Sequence, residues 1–316
     1  MSKKLLKIQK LLFSLLLVFF LMINFLPNSI EKVQKENLQS ELKTELVENI
    51  GEYDSNKIVL KNTNKELANE LANRLNAKLR ITSDGSFATL TLRNNETILD
   101  VVSNPDNEDI LQYLSIDYQS TTTEIIEDNE EVDEHSLQIN KPNYSITDPY
   151  YDKQSYLNYL NLNNIWNYTM GENITVAVID TGIDYDHPEF EGKISEYSYN
   201  ATEDKIVKDY IDSNGNYDWS LVEDEVGHGT AVTGVIAAGM NNGIGITGIA
   251  PQVTIITIKA ECNQDGSFKN TSDLVFGLYY AIERDVDVIN MSFGGSGGNP
   301  YEEATRLAVD SDIICV

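Results

Sequence analysis

Hydrophobic positions along the chain change their period more than once, and each change marks a different kind of element. From Lys57 to Leu60 the apolar run is short and strand-like. After it, Leu67, Leu71 and Leu75 recur at i, i+4 and i+8 behind Asn64, a residue suited to capping a helix. Leu79 and Ile81 alternate with polar neighbours, Ser83-Asp84-Gly85-Ser86 turns the chain, and Phe87 to Leu92 alternates again. Ile110, Leu111 and Leu114 share a face and predict a second helix over about Asn107 to Leu114, before a last strand near Ile116 to Gln119.

The order β-α-β-β-α-β predicts a small α+β unit of ferredoxin-like type. Beyond it, Glu124, Glu127, Asp128, Glu130, Glu131, Asp133 and Glu134 crowd into eleven positions, followed by Lys141-Pro142-Asn143. Such a block of like charges is a solvated linker and marks a boundary. The pattern then changes class. Ile174 to Ile179, Val253 to Ile258, Val286 to Met291 and Ile313 to Val316 are near-continuous apolar runs. Helix-like stretches at Thr230–Ala238, Thr271–Arg284 and Tyr301–Ala308 lie between them. Strands apolar on both faces, alternating with helices, predict an α/β domain whose parallel sheet is covered on two sides.

The N-terminus is separate from both patterns. Lys3, Lys4, Lys7 and Lys10 precede an apolar run from Leu11 to Leu26 broken only by Ser14 and Asn24. These are the n- and h-regions of a secretory signal, so export is expected, with the segment either removed or kept as a membrane anchor. The expected organisation is residues 1–29 as signal or anchor, 30–123 as the small unit, 124–141 as linker and 142–316 as the α/β domain. With 23 Lys+Arg against 50 Asp+Glu in 316 residues, the formal charge is −27, which argues against nucleic acid as a partner. Only Cys262 and Cys315 occur, too few for a disulfide-stapled scaffold or a zinc site of the Cys-pair type. Both read as small buried hydrophobes.

Two positions in the α/β half carry candidate chemistry. Asp180 ends the run Val176-Ala-Val-Ile-Asp-Thr-Gly182, and reactive groups of open parallel sheets lie at the carboxyl ends of strands. Gly227-His228-Gly229-Thr230 opens a helix of small residues (Ala231, Gly234, Ala237, Ala238), which holds the imidazole at a helix N-terminus that backbone can approach closely. Two other motifs offer competing readings. Gly294-Gly295-Ser296-Gly297-Gly298 fits a G-x-S-x-G elbow, but no His follows it, as an α/β-hydrolase requires. Asp180-Thr181-Gly182 matches an aspartic-protease triplet, yet it needs a second such triplet and leaves His228 unexplained.

Taken together, Val176 to Asp184 with His187-Pro188, Gly227-His-Gly-Thr-Ala-Val-Thr-Gly-Val235, Gly248-Ile-Ala-Pro251 and Val288-Ile-Asn-Met-Ser-Phe-Gly-Gly295 resemble, in family order, the signatures of the subtilisin-like serine proteases. The similarity runs from about Pro142 to Val316, and the preceding unit resembles the family's inhibitory propeptide. The resemblance implies a subtilisin-like sheet and a secreted zymogen that hydrolyses peptide bonds, with its own propeptide as intramolecular inhibitor. Asp180 would orient His228, which would activate a serine. In the family that serine and the oxyanion Asn lie in segments beyond the strand ending at Val316. The chain is therefore expected to be the N-terminal portion of an Asp-His-Ser enzyme and close to inert by itself. The alternative is a non-catalytic product or a secreted propeptide-like inhibitor or binding module.

The resemblance also implies binding residues. Gly266-Ser267-Phe268 and Ser292-Phe293-Gly294 match two segments that flank an extended peptide or protein substrate and pair with its backbone, with Phe268 and Phe293 shaping a hydrophobic pocket. Gln154, Glu189, Asn242 and the carbonyls near Ile244 and Ile246 match a calcium site, all oxygen donors as a hard cation needs. There are three departures: Glu189 stands where the family has Asp, the loop at Gly239-Met240 carries an extra residue, and Ala231 stands where the family has His.

Overall fold

The computed structural model describes residues 35, 37–49, 53–61, 63–119, 121–122, 145–294 and 298–316. The expected signal segment, the acidic linker and Ser296 lie outside these residues. Among the described residues no helix is long and apolar enough to cross a membrane. The chain divides into two compact units, Met1–Ile116 and Asp117–Val316.

The first unit has a helix over 37–48 (α1) and then the strands and helices that the alternating pattern predicts. Tyr53–Leu60 (β1), Lys78–Ile81 (β2), Ala88–Thr91 (β3) and Leu114–Tyr118 (β4) form one sheet in the order β2-β3-β1-β4. β1 and β2 run antiparallel to β3, with Ile58 opposite Leu90 and Leu79 opposite the same residue. Lys65–Arg74 (α2) is capped by Asn64, whose side chain accepts the Leu67 amide at 3.0 Å. Ala68 and Leu71 of α2 are buried. The second helix differs from expectation. It is Ile98–Ser103 (α3), while the segment near 107–114 makes two 3-10 turns. A capping box explains the shift: the Thr97 hydroxyl accepts the Asp100 amide at 3.2 Å, and the Asp100 carboxylate accepts the Thr97 amide at 2.9 Å. Ile110, Leu111 and Leu114 are buried as their spacing implies, without a helix between them.

The second unit is built on a six-stranded sheet in the order β12-β10-β6-β9-β7-β8. Its strands are Thr175–Asp180 (β6), Tyr199–Asn200 (β7), Lys205–Ile206 (β8), Thr254–Lys259 (β9), Val288–Asn290 (β10) and Ile314–Cys315 (β12). All neighbours are parallel except β7 and β8. Two further short strands, Thr121–Thr122 (β5) and Phe293–Gly294 (β11), pair antiparallel with each other.

Alternate residues of β6 serve opposite faces. Val176 and Val178 pack with Ala237 of His228–Ala237 (α6) and with Ile255. On the other face, a Cβ on Gly277 of Thr271–Glu283 (α7) would meet Ile258 at 2.9 Å and Ile179 at 3.3 Å, so that helix lies close on the sheet. Each buried Val or Ile contributes about 1.5–3 kcal/mol relative to exposure, which is why β6, buried along almost its whole length, anchors the unit. Two short helices, Ser155–Tyr159 (α4) and Leu162–Ile165 (α5), enclose a satellite core of Leu157, Leu162 and Trp166. Gly298–Asp310 (α8) precedes β12. Cys262 and Cys315 are both free and half-buried.

Candidate functional site

β6 delivers Asp180 at its carboxyl end, and α6 delivers His228 as its first residue. The two meet. His228 Nδ1 lies 2.7 Å from Asp180 Oδ1, with 8% and 1% of the side chains exposed. Oδ1 also accepts the Thr181 amide at 2.7 Å, whereas Oδ2 has no hydrogen-bond partner among the described residues.

Backbone contact makes this approach possible. A Cβ on Gly229 would run into the Gly182 carbonyl, and Gly182, at φ +122°, has the Val222 carbonyl 2.6 Å from where its own Cβ would stand. Any larger residue at either position would push the start of α6 away from the end of β6. Asp224, which the sequence did not single out, fastens the same junction. It accepts the Gly227 amide at 2.8 Å, the Thr230 amide at 2.9 Å, and the hydroxyls of Thr230 at 2.7 Å and Thr181 at 2.8 Å. Thr181 passes the connection on by accepting the Gly229 amide at 2.9 Å. Burial by itself would raise the Asp224 carboxyl, but its bonds to Thr230, Gly227 and Thr181 outweigh that and hold it below the ordinary carboxylate range. Its one sequence signal is an Asp four residues before the His, in a Glu-Asp-Glu run that reads as surface charge.

Beside the pair is a cavity of about 710 Å³ whose lining includes Asn200, Glu225, Val226, Lys259, Glu261 and Cys262. Lys259 donates to Glu225 at 2.6 Å and to the Glu223 carbonyl at 2.6 Å. Burial pushes the Cys262 thiol up to about 11. Glu203 also lines the cavity, which makes three carboxylates in its lining with Glu225 and Glu261. Asp184 is raised by burial and by a hydrogen bond shared with Asp186, and Glu223 by burial and the negative field of Asp184 and Asp186.

The two expected substrate segments come together. Gly266, at φ +83°, and Ser267 turn a hairpin closed by the Cys262–Phe268 bridge. Phe268 packs edge to face on Phe293, with ring centroids 5.4 Å apart. Phe268 is wholly buried, so its ring has no surface to offer a pocket and acts as core; Phe293 keeps a partly exposed ring. Ser292 donates to Asn290 at 3.0 Å. Phe293 and Gly294 are paired with Thr122 and Thr121 respectively. Four residues before Thr121, the carboxylate of Asp117 accepts the Ser272 amide at 2.8 Å and the Ser272 hydroxyl, and the Tyr118 carbonyl accepts the Thr271 hydroxyl at 2.6 Å. Those contacts satisfy the start of α7, which has no side-chain cap from Asn270.

Three of the five expected calcium ligands, Gln154, Glu189 and Asn242, turn their side-chain oxygens to N–H groups of the 239–247 loop. Glu189 accepts the amides of Gly239 at 3.1 Å and Ile246 at 2.9 Å and the side-chain N–H of Asn242 at 2.7 Å. Asn242 Oδ1 accepts the Ile244 amide at 3.0 Å, and Gln154 Oε1 accepts the Thr247 amide at 2.8 Å. The side-chain oxygens of Glu189, Asn242 and Gln154 are each engaged by N–H donors, an arrangement that does not fit calcium.

Comparison with known proteins agrees with the fold and the order of motifs. Residues 171–316 match the Subtilase family. The intracellular serine protease of Paenibacillus polymyxa is 39% identical over 156 residues, 48% of this chain and 42% of that protein. The major intracellular serine protease of Bacillus subtilis is 36% identical over 147 residues, 46% of this chain and 42% of that one. The chain thus spans about two fifths of the length of these relatives. Among solved structures, fervidolysin from Fervidobacterium pennivorans, a keratinolytic enzyme related to subtilisin, superposes with a TM-score of 0.57 over 84% of this chain and 40% of its own. At 23% identity that likeness speaks for the fold, which is the subtilisin-like α/β fold. Motif order, sheet topology and family match agree: the segment 171–316 belongs to the subtilase family of serine peptidases.

Proposed function

We propose that the protein is a secreted serine endopeptidase made as a zymogen, with Asp180 and His228 as two members of its triad. The observation that carries this is the buried 2.7 Å bond between His228 Nδ1 and Asp180. With Nδ1–H directed to the carboxylate, Nε2 is the nitrogen that would act as base. It would take the proton of a serine hydroxyl as Oγ bonds to the peptide carbonyl carbon. It would then return that proton to the leaving amine as the C–N bond breaks, and Asp180 would stay ionised throughout.

The substrate would be an extended peptide lying along Phe293–Gly294. The antiparallel pairing of Thr121–Thr122 with that edge supports this, because it is the pose a substrate backbone would take. Residues 30–123 would then be the inhibitory propeptide, exported through Met1–Ser29 and cut between Glu124 and Tyr151.

The protein purified from its host tests this. It should hydrolyse peptides, label with a fluorophosphonate at a serine, and begin between Glu124 and Tyr151. His228→Ala should lower turnover about 10⁶-fold and leave the precursor uncut. Residues 30–141, made separately, should inhibit at micromolar concentration. Wild-type turnover in His228→Ala would end the triad assignment, and absence of inhibition would end the propeptide one.

A further inference from the structure

The loop 239–247 follows α6 directly, so whatever fixes it also fixes the far end of the helix that carries His228. Its sequence, Gly-Met-Asn-Asn-Gly-Ile-Gly-Ile-Thr, has Met240 packed on the Leu157–Trp166 cluster but is otherwise rich in Asn and Gly, and Asn241, Gly243 and Gly245 all have positive φ. A chain of this kind collapses into place only if something at its centre satisfies its inward-facing groups.

Two buried carboxylates do so. Glu189, 4% exposed, receives three N–H groups from Gly239, Asn242 and Ile246. Asp148, 5% exposed, receives the Asn241 amide at 2.8 Å, the Gly243 amide at 3.2 Å and the Thr247 hydroxyl at 2.6 Å. All four carboxylate oxygens are occupied. The fit is close: a Cβ on Gly245 would overlap Glu189 Oε1, and one on Gly239 would lie 2.5 Å from the Asn242 amide nitrogen. Three neighbouring oxygens of the loop also face outward to other segments. The Gly245 carbonyl accepts the Tyr150 amide at 3.0 Å, the Thr247 carbonyl accepts Gln154 Nε2 at 2.8 Å, and Asn241 Oδ1 accepts the Thr147 amide at 2.8 Å.

A ring of N–H groups pointing inward is an anion receptor and repels a cation. A hard divalent ion would need six to eight oxygens within about 2.5 Å, which requires most of these bonds to break. The extra methylene of Glu relative to Asp carries its carboxylate into the centre of the loop. We propose that Glu189 and Asp148 take the place of a metal ion in the 239–247 loop, so that the loop and the end of α6 are ordered without calcium.

Amide hydrogen exchange on the full chain tests this without reference to activity. Protection of the Gly239, Asn241, Gly243, Ile246 and Thr247 amides should be the same in EGTA and in millimolar calcium. Any calcium effect from the acidic surface should be spread over the chain. Glu189→Ala should speed exchange of the loop about tenfold or more, with no recovery on adding calcium. Asp148→Asn is a milder second variant with the same expected direction, and the comparison in EGTA and calcium needs no variant. A saturable gain of protection confined to 239–247 in the wild-type chain, absent from Glu189→Ala, would overturn the proposal.

Discussion

The two ends of α6 use the same chemistry to different ends. At each, buried carboxylates face N–H groups at the junction of a helix and a loop. At the far end every oxygen of Glu189 and Asp148 has a partner. At the near end Asp180 keeps Oδ2 unpaired while Oδ1 carries the His228 bond. A fully satisfied carboxylate has no capacity left and can only hold structure. One with capacity to spare, bonded to an imidazole, can answer a change in that imidazole's charge. Asp224 lies a few residues away yet behaves like the far end, because Thr181, Gly227 and Thr230 occupy it.

The contrast can be broken at four places. The largest effect is expected at Asp180. Under the triad proposed above, Asp180→Asn should cut kcat/KM about 10⁴-fold with little loss of stability, read by peptide hydrolysis and thermal melting together. Glu189→Ala should do the reverse: about 3 kcal/mol lost in urea unfolding, from three stranded N–H groups, with activity per folded molecule preserved. Gly229→Ala forces a Cβ against the Gly182 carbonyl and should cost about 2 kcal/mol, together with turnover, as the His228 ring shifts. The smallest is a pH effect. The folded Asp224 carboxyl titrates below its unfolded value of about 3.9, so the folded state binds fewer protons. Its contribution is complete above about pH 5 and drains away as pH falls through the folded value. Melting temperatures of the wild type and Asp224→Asn should therefore converge below about pH 4.

How much of this was legible in the sequence follows from how local each signal is. β6 and β9 are runs whose own residues bury both faces, and His228 sits between two glycines, so pattern and motif reach them. The Asn64 cap and α2 are equally local. The Thr97–Asp100 capping box was also written in the chain, but the apolar face of Ile110, Leu111 and Leu114 competed with it and predicted a helix where the backbone makes tight turns. Asp148 could not be read at all, because its partners lie more than 90 positions later and Thr-Asp-Pro looks like an ordinary turn. The calcium expectation rests on residue types, which give the oxygens, whereas loop geometry, which the sequence does not give, decides that N–H groups meet Glu189 and Asn242.

The pairing of β5 with β11 extends over only two residue pairs, Phe293 with Thr122 and Gly294 with Thr121. A ladder that short has almost no affinity of its own once the loss of translational freedom is counted. Thr121 and Thr122 stay on the edge because Asp117 and Tyr118, a few bonds away, are moored to α7. Tethering of this kind sets an effective concentration in the millimolar range, which a free peptide at micromolar concentration cannot match. The edge is thus occupied by connectivity rather than by fit. Cutting the chain on the far side of Thr122 leaves that occupancy intact, whereas loosening the Asp117 mooring turns the same strand into a weak, dilute competitor.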